Sequence, residues 1–103
     1  MKLAIIGDTE EGKEGASLRI IDSFVQDHKA GNGVVVSAGS MRLLSLVNKY
    51  AREKGIPQIL LQSHFQLAVM NADKVLVLHT PAYNMEDVVE LCKKFEKPFM
   101  EIK

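Results

Sequence analysis

Short apolar runs alternate along the chain with segments in which apolar residues recur at helical spacing. Leu3 to Ile6 is a compact apolar run that ends at Gly7, a pattern typical of a strand buried on both faces. After a polar loop, the next segment predicts a helix that stops at Gly31-Asn32-Gly33. The apolar positions on one side of this helix are Ile20, Ile21, Phe24 and Val25.

A second strand and helix follow in the same order. Val34 to Val36 predicts a strand, after which the chain turns through residues Ser37 to Ser40. A helix is expected from Ser40, its N-cap, to Gly55, which ends it before a proline. The apolar face of this helix consists of Leu43, Leu44, Val47, Tyr50 and Ala51.

The remaining sequence continues the alternation. The predicted elements are a strand at Gln58 to Leu61, a short helix at Ser63 to Ala72 capped by Ser63, a strand at Lys74 to Leu78, a helix capped by Asn84, and a closing strand at Pro98 to Ile102. The last helix has acidic residues in its first turn and lysines near its end, as the helix dipole favours.

Strands that alternate with helices imply parallel crossover connections. We therefore predict an α/β fold with a Rossmann-like open parallel sheet of about five strands and helices on both faces. The 103 residues suffice for a single Rossmann-like domain, residues 1–103. We find no internal repeat and no linker.

Composition narrows the range of partners. Hydrophobic residues make up 47% of the chain and charged residues 25%, which is typical of globular proteins. Thirteen basic and thirteen acidic residues cancel, so nothing indicates a nucleic-acid partner, and self-association into a homo-oligomer is unopposed by charge. No apolar stretch is long enough for a membrane span. The opening MKLAIIG is too short for a signal peptide and Cys92 is the only cysteine, so we expect a cytoplasmic protein.

Three loops are expected at the carboxyl edge of the sheet, where open parallel sheets bind ligands. They are Gly7-Asp8-Thr9, Ser37-Ala38-Gly39-Ser40, and His79-Thr80-Pro81-Ala82-Tyr83-Asn84. The small residues of the second loop allow an anion to approach the backbone at a helix N-terminus. An ordinary turn followed by an N-cap serine explains the same residues.

The chain as a whole resembles a Rossmann-like superfamily, here called SLOG-like. The residues that carry the resemblance are Gly7, the turn SAGSMRLLSLVNKYAREKGIP and the stretch NADKVLVLHTPAYNMEDVVELCKKFEKPFMEI. This superfamily includes the LONELY GUY phosphoribohydrolases, the lysine-decarboxylase-like proteins and short nucleotide-sensing relatives. The resemblance implies a small-molecule ligand of the nucleotide or sugar-phosphate class.

The family motifs are present in altered form. In the glycine-rich turn that holds a nucleotide phosphate, Gly39 matches one glycine, Ala38 replaces another, and Arg42 replaces a third, where its guanidinium is suited to pair with phosphate. The second motif has lost its glycines, but Glu86 matches the glutamate of the family's N-glycosidic chemistry. A glutamate near a helix start is also a common capping partner.

Other candidate residues are isolated in the sequence. Asp8 is placed to bind a ribose hydroxyl or to form a turn, and His79 to line a pocket and act as an acid or base. The histidines His28, His64 and His79 are too scattered to predict a metal site, and we predict no cofactor. The loop from Asp8 to Gly15 is long enough for a lid, or is simply solvated.

Three functions remain open from the sequence. The first is a nucleotide- or nucleoside-phosphate-binding domain, with the ligand held by Gly7, Asp8, Thr9, Ser37, Ala38, Gly39, Ser40, Arg42, His79 and Thr80. The second is an N-glycosidic hydrolase or transferase that uses Glu86, with Arg42 or Arg19 on the phosphate. The third is an interaction or assembly module, since MKLAIIGDTEEGKEG also resembles the regulatory F subunit of rotary ATPases.

Overall fold

The computed structural model describes residues 1–27 and 33–103, in which five strands alternate with four helices. The strands are β1 (Lys2–Gly7), β2 (Val34–Gly39), β3 (Gln58–Leu60), β4 (Lys74–Leu78) and β5 (Phe99–Ile102). The helices are α1 (Glu14–Asp27), α2 (Met41–Lys54), α3 (Phe65–Met70) and α4 (Glu86–Lys94).

The strands form one sheet in the order β3-β2-β1-β4-β5, and every pair of neighbours is parallel. β1 lies at the centre, where Ile5 pairs with Ser37 on one side and with Leu76 on the other. The predicted Rossmann-like open parallel sheet is therefore confirmed. The order also shows what the sequence pattern does not: the chain builds outward from β1 to β3 and then returns to the other side of β1 for β4.

Helices cover both faces of the sheet, and each face has its own core. On one face α1 and α2 pack over Leu3, Ile5 and Leu76, and on the other α3 and α4 pack over Ala4, Ile6 and Val77. This alternation along one strand follows from the two-residue period of β structure. Among the described residues, no helix is both long and apolar enough to cross a membrane.

Both predicted ends of α2 are confirmed. The Ser40 hydroxyl accepts a hydrogen bond of 3.1 Å from the Leu43 N–H, which satisfies one of the free amides of the first turn. Gly55 ends the helix with a φ of 67°, a left-handed conformation that costs glycine little. The cap positions therefore fix α2 between a strand end and a turn.

The second strand is longer than predicted. Pairing with β1 continues through Ser37, Ala38 and Gly39, so these residues belong to β2 and not to the loop that follows it. The first loop is shorter than predicted, because α1 begins at Glu14. Of the expected stop at Gly31-Asn32-Gly33, the first two residues lie outside the described residues.

Two predicted caps differ from the structure. Ser63 does not cap α3: this helix begins at Phe65, and Ser63 belongs to the preceding turn, in which its carbonyl accepts from the Phe65 N–H. Asn84 lies one residue before the cap position of α4, which Met85 occupies. Its side chain still accepts a hydrogen bond of 3.0 Å from the Glu86 N–H, so the amide acts as a cap from outside the helix.

Candidate functional site

The Asp8 carboxylate joins the ends of three neighbouring strands. Asp8 follows β1, and its two oxygens accept hydrogen bonds from the Ser40 hydroxyl after β2 and the Thr80 hydroxyl after β4. The Thr80 bond measures 2.6 Å. Asp8 is 6% exposed, so these bonds lie largely out of water. A ligand that binds Asp8, as predicted, would therefore have to share a carboxylate whose two oxygens already accept hydrogen bonds within the protein.

The surroundings of Asp8 favour its charged form. Burial by itself raises the pKa of this carboxyl. The hydrogen bonds from Ser40, Thr80 and the Thr9 backbone, together with the Arg42 charge, lower the pKa by a larger amount. The net result is a pKa below the ordinary value of 3.8. Asp8 is thus an anion at neutral pH, held by donors on both sides.

Gly7 and Gly39 let the three strand ends approach closely. A side-chain carbon at Gly39 would lie 1.9 Å from the Gly7 carbonyl oxygen, and one at Gly7 would lie 1.9 Å from the Leu78 oxygen. Both residues also have a φ of 135°, which side chains rarely allow. Close packing of the strands therefore explains why both positions need glycine, without any ligand.

The turn after β2 is largely engaged within the protein. The Gly39 N–H donates to the Gln62 carbonyl at 2.7 Å, and the Ser40 N–H donates to the Gly7 carbonyl at 2.9 Å. Ser37 and Ala38 are fully buried in the sheet. The hydroxyl of Ser40 serves Asp8 and the helix cap at the same time. An anion near this segment would therefore have to bind at the first helical turn of α2, which contains Arg42.

Arg42 is exposed and anchored beside the first loop. Its guanidinium donates a hydrogen bond of 3.3 Å to the carbonyl of Thr9. Thr9 is itself buried, and its hydroxyl lies 2.6 Å from that of Ser17, which ties the loop to α1. Arg19, the other predicted phosphate partner, is exposed on α1.

An open cleft of about 510 Å³ lies at the divide between β1 and β4. This is the switch point of the sheet, since the loops after β1 and β4 leave it toward opposite faces. The lining comprises Glu10 from the first loop, five residues at and after the end of β4, and Lys103 after β5: Glu10, His79, Thr80, Pro81, Asn84, Glu86 and Lys103.

A charged cluster closes one end of the cleft. The Lys103 ammonium lies 3.2 Å from Glu86 Oε1 and 3.4 Å from Glu101 Oε1. A hydrogen bond to Glu86 and the two negative charges raise the pKa of Lys103. His79 Nε2 lies 2.8 Å from Glu101 Oε1, and its Nδ1 accepts a hydrogen bond of 3.1 Å from the Met85 N–H.

The structure brings together some of the predicted site residues and separates others. His79, Thr80 and Glu86 line the cleft, whereas Ser37, Ala38 and Gly39 lie in the sheet and contribute no side chain to it. His64 occupies the N-cap position of α3 and does not line the cleft, and His28 lies outside the described residues. Sequence reasoning missed Lys103, which lines the cleft, and Glu101, which pairs with His79 and Lys103 at one end of it.

The signal that identifies Glu101 and Lys103 is the sheet order. Glu101 lies one residue before the end of β5, and β5 pairs with β4, so its side chain reaches His79, the residue after β4. Had the order β4-β5 been known, the charged sequence EIK at the end of β5 would have been placed next to the cleft.

Comparisons with known proteins return no relatives. No family model matches the chain, and no curated protein or solved structure matches it either. The function of the chain is therefore inferred from its fold and from the geometry of the cleft.

Proposed function

We propose that the chain is a cytoplasmic binding domain for a nucleoside or nucleoside phosphate, which occupies the cleft at the β1–β4 divide. The position of this cleft carries the proposal, because open parallel sheets bind such ligands where the strand order reverses. Its volume of about 510 Å³ also falls within the range of small-molecule sites. The resemblance to nucleotide-handling proteins supports the same class of ligand.

The polar groups of the cleft suit a sugar and a base. The carboxylates of Glu10 and Glu86 are acceptors for ribose hydroxyls or amino groups. The Asn84 oxygen is occupied by the Glu86 N–H, so its amide nitrogen is the part that donates to a base. Glutamates outnumber the single Lys103 here, and a phosphate inside the cleft would be repelled.

We assign the phosphate of a charged ligand to the first turn of α2. This turn has no acidic residue, in contrast to the first turns of α1, with Glu14, and of α4, with Glu86 and Asp87. The helix dipole and the Arg42 guanidinium both favour an anion there. Because Arg42 is bonded to the Thr9 carbonyl, it lies next to the loop that carries Glu10 into the cleft.

The test is a titration of the protein with nucleosides and their 5′-monophosphates, followed by melting temperature. Binding raises the melting temperature, and Asn84→Ala removes the rise for both ligand classes. Arg42→Gln weakens only the monophosphates, and Arg52→Gln at the exposed end of the same helix leaves both unchanged. If no ligand shifts the melting temperature at millimolar concentration, the proposal fails. Release of free base that is lost in Glu86→Gln would instead make the chain a hydrolase.

Self-assembly is a second candidate, favoured by the two edge strands. Ile59 and Leu60 on β3 are 42% and 48% exposed, and Phe99 and Met100 on β5 are 36% and 41% exposed. Large apolar side chains on an open strand edge are typical of surfaces that pair with another chain. Light scattering after size exclusion tests this: a stable oligomer that dissociates in Leu60→Lys supports assembly, and a monomer at high concentration excludes it.

A further inference from the structure

We propose that the cluster formed by His79, Glu86 and Glu101 binds a divalent first-row transition-metal ion. One ligand atom from each residue lies within 4.8 Å of the other two. The three residues come from the end of β4, the start of α4 and β5, so the fold, and not a local motif, assembles them. The sequence spacing accordingly gives no metal signature.

The His79 ring is the first reason to expect a ligand. Its side chain is only 8% exposed, and Nε2 lies 2.8 Å from Glu101 Oε1. The ring therefore presents a buried nitrogen directly to a carboxylate that also faces Lys103. An ion bound by both Nε2 and the Glu101 carboxylate would replace the proton that these two atoms share.

Lys103 is the second reason, because it shows that this corner holds positive charge. Its ammonium lies between Glu86 and Glu101, at 3.2 Å and 3.4 Å. The Lys103 side chain is 66% exposed, so it is free to move into solvent. A divalent ion would then take the place of the ammonium and balance the two carboxylates.

The donor set selects the class of metal. An imidazole nitrogen combined with carboxylate oxygens suits ions such as Mn²⁺, Co²⁺ and Zn²⁺. Ca²⁺ and Mg²⁺ prefer sites made of oxygen alone. Three protein ligands also leave a coordination position that faces the cleft, where a water molecule or a ligand atom completes the shell.

Metal binding also changes the hydrogen bond on the other side of the His79 ring. Nδ1 of His79 accepts from the Met85 N–H, which places the imidazole proton on Nε2. An ion on Nε2 requires the proton on Nδ1, where it would face the Met85 N–H. The contact between His79 and Met85 therefore opens when the ion binds, and the Met85 amide reports on it.

The test is calorimetric titration of the protein with Co²⁺ and Zn²⁺, with Mg²⁺ and Ca²⁺ as comparisons. One equivalent of Co²⁺ or Zn²⁺ binds, at least 100-fold more tightly than Mg²⁺ or Ca²⁺. Glu86→Gln and Glu101→Gln each weaken binding about tenfold or more. Lys103→Gln strengthens binding, because it removes the competing ammonium. Glu90→Gln, an exposed glutamate on α4, leaves the affinity unchanged.

Glu86 is half-exposed, so Glu86→Gln is expected to fold even where the Glu101 variant does not. A nuclear magnetic resonance titration adds a local readout, in which the Met85 amide signal shifts with one equivalent of Co²⁺ or Zn²⁺. Absence of binding to the wild type and to Lys103→Gln overturns the proposal. Binding that survives Glu86→Gln with the Met85 signal unmoved also overturns it, since the ion then lies elsewhere. No nucleoside is present in these titrations, so their outcome is independent of the nucleoside proposal.

Discussion

The Thr80 hydroxyl donates a hydrogen bond of 2.6 Å to Asp8, which links the residues that follow β1 and β4. The two residues are 72 positions apart in the sequence, and the loops they begin leave toward opposite faces of the sheet. Ser40 binds the other oxygen of the same carboxylate. Side chains therefore link the strand ends beside the cleft, in addition to the ladder between the strands.

Asp8→Asn is expected to lower the free energy of unfolding at pH 7 by about 1–3 kcal/mol, because a charged acceptor with two hydroxyl donors is replaced by a neutral one. The folded-state pKa of Asp8 lies below 3.8, so its contribution is present above the unfolded pKa and is lost as the pH falls through the folded value. Urea denaturation across pH 2–7 measures this difference.

The difference between wild type and Asp8→Asn should therefore narrow below pH 4. Thr80→Val should reproduce part of the loss and Thr80→Ser should restore it, because serine keeps the hydroxyl. A difference between wild type and Asp8→Asn that stayed constant over the whole pH range would contradict the assignment.

Gly39→Ala should be among the most destabilising substitutions in the chain, with a loss of more than about 3 kcal/mol. The added carbon would lie 1.9 Å from a backbone oxygen, and the φ of 135° adds strain. Gly15→Ala is the matched control: it lies in α1 with nothing within 4 Å, so alanine there should stabilise by about 0.5–1 kcal/mol. Chemical denaturation of both variants decides, and equal effects would exclude the close-packing argument.

Tyr50 should ionise at a higher pH than a free tyrosine. Burial, followed by the hydrogen bond of 2.7 Å to Asp22 and the charge of that carboxylate, raises the pKa of Tyr50 to about 12. Since the folded pKa exceeds the unfolded value of 10, stability should fall as the pH rises from 10 to 12. In a Tyr83→Phe background, absorbance of tyrosinate at alkaline pH follows Tyr50 alone, because the chain has two tyrosines. A midpoint near 10 would refute the burial of this hydroxyl.

Cys92 should be unreactive in the folded protein. It is fully buried on the inner face of α4, and burial raises the pKa of its thiol to about 11. A thiol reagent should modify it at the rate of unfolding and not at the rate of a free thiol. Cys92→Ser should be less stable than Cys92→Ala, since the hydroxyl would be buried among apolar side chains. Rapid labelling under native conditions would contradict this.

The framework was predictable from the sequence because local patterns determine it. Ser40 and Gly55 mark the ends of α2, and the apolar run before Gly7 marks β1. The length of β2 was not predictable, because Ser37, Ala38 and Gly39 have the composition of a turn. Pairing with β1 keeps them in the strand, and pairing between distant segments does not appear in local sequence.

The site was predictable only in part, for the same reason. His79 and Thr80 were found because the end of a strand is visible in the sequence. Glu86 was found because it matches the glutamate of a motif in the SLOG-like superfamily that the chain resembles. Glu101 and Lys103 depend on the neighbouring positions of β4 and β5, which the sequence pattern leaves undetermined. The ligand-binding roles expected of Ser37, Ala38 and Gly39 stay predictions.

The switch point also divides the molecule by chain order. In the described residues, the two helices that precede β3 in the sequence, α1 and α2, cover one face of the sheet. The two helices that follow β3, α3 and α4, cover the other face. A cut at Ser63 would therefore interrupt no helix or strand. It would yield two fragments, each with one layer of helices and a part of the sheet. Reassembly would rest mainly on the β1–β4 ladder, on α3 packed over the sheet, and on the bond between Asp8 and Thr80.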